Sequence, residues 1–217
     1  MSSIALLFVG AVLLVNGLVF LSFLDPRSSI PINLFSGSIL VLTAINLAWT
    51  APDSLDERAT LYSASGFALF GFTYLGVVLG ALLNANNRSL GVYCGWSAGI
   101  ALILGCINVT TLADRSLGIL WFSWALLFLV FALALLFSGT YWSSAAGALA
   151  IYQSLSTATI PAVLLIHGTW SQIPVASIAI VQLAGVLIYG SIFLFHYNRT
   201  RLDIDQQAVL TPDRELA

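Results

Sequence analysis

Seven stretches of the chain run without a single charged residue, at positions 4–23, 30–49, 61–83, 91–112, 117–138, 143–166 and 174–196. Each matches the roughly 20 apolar residues that a helix needs to cross a bilayer core. The first run lacks a basic start and is too long for the apolar part of a cleaved leader, so it counts as a span. Turn and charge signals fill the short links: Asp25-Pro26-Arg27, Ala51-Pro52-Asp53 through Arg58, Asn84 through Arg88, Asp114-Arg115 and Ser138-Gly139-Thr140. Short links make neighbouring helices antiparallel. The pattern predicts an all-α integral membrane protein with seven transmembrane helices, arranged as three helical hairpins plus one C-terminal helix. Residues 1–170 hold six of the helices and 171–197 the seventh. The polar residues 198–217 predict a disordered tail.

Composition agrees: 59% of the chain is hydrophobic, 7% is charged and the mean hydropathy is +1.00, where a soluble domain carries about a quarter charged residues. Every Asp, Glu and Arg falls in a link, at a helix end or in the tail. Ionisable groups inside a membrane mark ion paths, proton relays and counter-ions. Their absence from the spans argues against a proton-coupled or voltage-driven machine and against a charged solute. Whatever crosses is expected to be neutral and to move down its gradient. All seven basic residues are arginines, and without a lysine the retinal Schiff base that a seven-helix count suggests cannot form. A net charge of -2 with no basic patch leaves nothing to bind nucleic acid. Cys94 and Cys106 lie in one apolar run and read as small packing residues, not as a disulfide or metal site. Arg27, Arg88, Arg199, Arg201 and Arg214 collect on one side, and Arg58 and Arg115 on the other. That bias puts the N-terminus outside and the tail in the cytoplasm.

The polar positions left inside the spans are amides, hydroxyls and indoles. Asn16 lies in the first helix, Asn33 and Asn46 in the second, Thr73 and Tyr74 in the third, and Asn108, Thr110 and Thr111 in the fourth. In the third, Phe70 and Tyr74 are four residues apart and share a face, with Gly71 and Thr73 leaving space beside them. Trp121, Trp124 and Phe128 form an aromatic stripe at i, i+3, i+7 in the fifth helix. In the sixth, Gln153 precedes Ser156 and Thr157 on its face, and Pro161 frees the carbonyl of Thr157. Such groups also bond helices to one another, and Trp near a helix end also anchors it at the interface, so position alone leaves packing and pathway both open. Two catalytic patterns fail. Gly95-Trp96-Ser97-Ala98-Gly99 matches G-x-S-x-G but sits in a span with no acid, and small residues at this spacing suit close helix packing. His167 and His196 stand at helix ends and read as interfacial.

With these residues in place, the sequence resembles the AmiS/UreI family of urea and short-chain amide channels over about residues 4–170. The resemblance rests on Val9-Gly10 through Asn16-Gly17, Asp25-Pro26-Arg27-Ser28 and Phe70-Gly71-Phe72-Thr73-Tyr74. It continues through Trp121-x-x-Trp124, then Ala150-Ile151 through Ile160-Pro161-Ala162. It implies a passive channel in a bacterial cytoplasmic membrane, built as a homo-hexamer with one pore per protomer. It implies no cofactor, and a cytoplasmic amidase or urease as a possible partner. Carried across by motif, the lining comprises Leu6, Leu13, Asn16, Phe70, Tyr74, Trp121, Trp124, Leu127 and Phe128. Such a lining suits acetamide, propionamide and urea, which are planar and uncharged: their faces stack on rings and their edges take hydrogen bonds.

Three departures shape the expected behaviour. Gln153 stands where the acid-gated urea channel has a pore glutamate, and a neutral amide cannot titrate. The second outer loop holds no histidine, the residue that titrates near neutral pH, so acid gating is not expected; His167 is the remaining candidate. Phe128 replaces a tryptophan, which implies a wider slot for amides larger than urea. The seventh helix and tail extend past the six-helix family core without an assigned role. The competing readings are a facilitative carrier for another small neutral solute, which predicts similarity between helices 1–3 and 5–7, and a non-transporting sensor or assembly subunit.

Overall fold

The computed structural model describes residues 2–51 and 55–210. Seven helices in it are long and apolar enough to cross a membrane. They are α1 (Ser2–Phe20), α2 (Ile30–Trp49), α3 (Leu55–Leu83), α4 (Arg88–Thr110), α5 (Arg115–Leu136), α6 (Thr140–His167) and α7 (Val175–Leu210). No strand occurs among the described residues, because backbone polar groups in hydrocarbon must be satisfied within the segment. The all-helical, seven-span expectation is met.

Glycines decide which helices approach most closely. On α2 and α3, a Cβ built on Gly71 would lie 2.8 Å from Val41 Cγ2 and 3.2 Å from the Gly37 carbonyl. The space beside Phe70 that Gly71 suggested is therefore filled by α2. On α4 and α5, a Cβ on Gly118 would lie 3.2 Å from the carbonyl of Gly105. Gly17 and Gly147 oppose each other in the same way, bringing α1 against α6. The tight pairs are thus α2 with α3, α4 with α5 and α1 with α6, and α7 packs against the other side of α6. Gly95 and Gly99 face outward, with open space beyond Gly99. The close packing expected for that pair is absent within the chain, while Ser97 between them is fully buried.

Two segments differ from expectation in a way that matters below. α6 is not uniform: α-helix over Thr140–Gln153 gives way to a π-helical stretch over Ser154–Thr159, then to α-helix again over Ile160–His167. And α7 continues through Leu210, so residues 198–210 extend the last helix and are not a disordered tail; 211–217 lie outside the described residues. At 36 residues, α7 is about 54 Å long, well beyond the roughly 30 Å of a hydrocarbon core.

Local chemistry fixes the links. Asp25 accepts the backbone N–H of Arg27 at 2.8 Å and, through its carbonyl, the Ser28 hydroxyl at 2.6 Å. This sets the short 3-10 turn Pro26–Ser29. Arg27 Nη2 then donates to Asn84 Oδ1 at 2.8 Å, tying the first link to the end of α3, where Asn84 takes a positive φ of 47°.

Candidate functional site

Two cavities enter the bundle from opposite ends, and no residue lines both. The larger, about 620 Å³, lies among the ends of α1, α3 and α5 and the starts of α4 and α6; Asn16, Thr73, Cys94 and Phe131 mark its floor. The smaller, about 370 Å³, lies among the starts of α1, α3 and α5 and the end of α6; Leu6, Val9, Phe70, Trp121 and Trp124 line it. Among the described residues, neither wall contains an Asp, Glu, Lys, Arg or His.

A thin partition separates them. Along α1, Val9 belongs to one cavity and Asn16 to the other, a rise of about 10 Å for seven residues. Leu13 lies between. On α5 the interval from Trp124 to Phe131 contains Leu127 and Phe128, and α3 adds Tyr74 and α6 adds Gln153. All five are almost completely buried, Gln153 being the most exposed at 2%.

Phe70 is the hub of the aromatic part. Its ring lies 6.2 Å from Tyr74, 5.5 Å from Trp124 edge-on and 4.7 Å from Phe128. Trp124 in turn meets Trp121 edge-on at 4.9 Å. Tilted and T-shaped pairs at these separations are the favoured aromatic geometries. Trp121 reaches this place because Gly66 of α3 has no side chain: a Cβ there would collide with the indole's Cη2 and Cζ2.

The polar groups are oriented by α6. Trp124 Nε1 donates to Thr157 Oγ1 at 3.0 Å, and the Thr157 hydroxyl donates to the Gln153 carbonyl at 2.8 Å. Gln153 Nε2 donates to the Ser123 carbonyl at 3.0 Å. The donor side of the Gln153 amide is thus engaged, while its Oε1 and the Tyr74 hydroxyl are buried with no hydrogen-bond partner. Nearer the larger cavity, Asn16 and Asn33 exchange amide bonds, Asn16 Nδ2 to Asn33 Oδ1 at 2.9 Å and Asn33 Nδ2 to Asn16 Oδ1 at 2.7 Å. Asn33 also reaches the Ser29 carbonyl at 3.0 Å.

All ten residues singled out from the sequence therefore lie on the cavities or in the partition. Others were missed. Asn33 holds Asn16, Thr157 and the Ser123 carbonyl hold the α6 groups, and Gly66 seats Trp121. Asn108, on the wall of the smaller cavity, satisfies itself by donating to Leu104 O at 2.8 Å. The available signal was one asparagine on each side of the first link. His167 is exposed at the end of α6 and lines neither cavity. Among the described residues, no cluster of His, Cys, Asp and Glu could hold a metal.

A sequence profile described as AmiS/UreI family transporter matches residues 1–169. The chain belongs to the AmiS/UreI family. A Mycolicibacterium smegmatis relative named for the transport of amidate substrates is 33% identical over 190 residues, 87% of this chain and 88% of its own. A Rhodococcus erythropolis relative named as transporter AmiS2 is 35% identical over 175 residues, 80% and 83% of the two chains. The crystal structure of the Helicobacter pylori urea channel superposes with a TM-score of 0.65 at 25% identity, over 78% of this chain and 99% of that one. The cryoEM structure of that channel in its closed state gives 0.68 at the same identity, over 78% and 100%. The chain is thus a multi-pass membrane protein of a transporter family. The family match ends before α7 begins.

Proposed function

We propose that this AmiS/UreI protein is a passive channel for small neutral amides, with acetamide and propionamide favoured slightly over urea. The observation that carries the reading is the charge-free partition of tilted and edge-on rings between two opposed cavities. A planar solute loses its hydration there in exchange for ring faces and a few hydrogen bonds. An ion loses more, since no fixed charge compensates its desolvation. The unpartnered Gln153 Oε1 is an acceptor for an amide N–H, and the Tyr74 hydroxyl a donor for an amide carbonyl. In this reading Leu6, Leu13, Asn16, Phe70, Tyr74, Trp121, Trp124, Leu127, Phe128 and Gln153 line the path. The larger cavity opens to the cytoplasm of a bacterial cell, the N-terminus is outside, and six copies form a ring with one path each.

Stopped-flow swelling of proteoliposomes in acetamide, urea and glucose tests the proposal. Acetamide and urea enter faster than in protein-free vesicles, and glucose does not. Equal, slow entry with and without protein would leave a non-transporting subunit; fast glucose entry would favour a carrier of broader solutes. Trp124→Ala changes the acetamide-to-urea ratio if the indole borders the path.

A further inference from the structure

The π-helical stretch of α6 leaves one carbonyl without its backbone partner, and the seventh helix supplies the replacement. In this register each N–H donates to the carbonyl five residues back, as Ile160 does to Leu155. The next donor in the series would be residue 161, whose acceptor is Ser156. Residue 161 is proline, which has no N–H. The sequence reading, which assumed an unbroken α-helix, assigned the freed carbonyl to Thr157; the register moves it to Ser156. Gln182 of α7, itself 8% exposed, donates from Nε2 to that carbonyl at 3.3 Å. One turn earlier on α6, Tyr152 Oη donates to the Val181 carbonyl at 2.6 Å, so two consecutive α7 residues hold the same part of α6. The opposite side of the π stretch is held by α1, whose Gly10 has the Ser154 carbonyl and Thr159 against it.

We infer that Gln182 is a positioning residue for the partition: it fixes the π register that aims Gln153 and Thr157 at Ser123 and Trp124. The effect on permeation rests on the channel reading above; the structural link does not. An unmet carbonyl in hydrocarbon is costly, and Gln182 meets the one that only the π register exposes; without it, rewinding returns Ser156 O to the Ile160 N–H, moves the proline's gap to Thr157 O, and turns Gln153 and Thr157 away from α5. Pro161 and Gln182 are then two halves of one device, and restoring a backbone N–H at 161 makes Gln182 dispensable.

The test is a double-mutant cycle with Gln182→Met, of similar shape and apolar, and Pro161→Ala. Thermal unfolding of the purified full chain in nanodiscs and acetamide permeability in proteoliposomes are both measured. Gln182→Met lowers Tm and reduces permeability about threefold, the effect of an average membrane hydrogen bond. In the Pro161→Ala background the same change has little effect on either. Additive losses in the Tm cycle, or no loss from Gln182→Met alone, overturn the inference. If Gln182→Met does not accumulate, recovery of folded protein in the double variant supports the clamp and equal loss overturns it. Wild-type vesicles impermeable to acetamide would end the channel proposal and leave the Tm cycle to judge the clamp.

Discussion

Asn16 and Asn33 exchange both of their amide bonds, which makes each the condition for burying the other. A polar group left alone in the bundle costs about 1–3 kcal/mol, whereas replacing both partners is close to neutral. Asn33→Leu is therefore expected to lower the unfolding temperature, and Asn16→Leu with Asn33→Leu to recover most of the loss; thermal unfolding in detergent of the two variants checks it. Equal Tm values for single and wild type would show that the pair is idle. Individual lining positions were legible because aromatic residues at helical spacing leave a periodic mark. Partners such as Ser123 were not, because it contributes a backbone carbonyl, which every residue has. Thr157 was visible as a polar residue on the Gln153 face, yet its bond to Trp124 joins helices 33 residues apart, a distance no local pattern spans.

The helices themselves were readable from hydropathy, and α2 runs from Ile30 to Trp49 as the pattern required. Internal irregularity was not. Pro161 announced a missing donor, but a proline does not say whether the helix kinks or shifts to a wider turn. The wider turn packs directly on Gly10 of α1, which is close in space but far away in sequence. A Cβ at Gly10 would press on Ser154 O at 3.0 Å as well as on Thr159, so Gly10→Val overpacks the α1–α6 contact. Its expected cost is about 1–3 kcal/mol, read as a lower Tm, with loss of acetamide entry because the partition loses its alignment. A Gly10→Val variant of unchanged Tm would mean that α1 yields easily and does not brace the π stretch. The end of α7 was misread for a related reason: a polar, charged segment resembles a tail, but here it continues a helix already started by an apolar span.

At the scale of the molecule, the bundle presents two entrances with no carboxylate or histidine among the described residues of their walls. A pathway gated by protons needs a group that changes charge in the relevant range. Acetamide permeability at pH 5 is accordingly expected to equal that at pH 7 in proteoliposomes; a large rise at pH 5 would place the gate elsewhere, His167 being the first residue to replace. Charge absence was the feature most fully legible in the sequence, since it needs no structure to count. The division into two cavities was not, because it depends on which helix faces meet.

An odd number of crossings has a simple consequence for how this protein can be wired to others. α7 starts beside the smaller cavity's end of the bundle and finishes at the larger one, where Tyr197 meets Tyr141 at 5.5 Å. A chain ending after six spans would bring both termini back to one face. Here the start of α1 and the end of α7 lie on opposite faces, and α7 runs about 20 Å further as a rod, by the rise of its last 13 residues. In the proposed orientation, an enzyme genetically fused after Leu210 would be held on the cytoplasmic side, one rod's length from the mouth of the larger cavity. The same enzyme fused before Ser2 would stand across the membrane from it, on the smaller cavity's side.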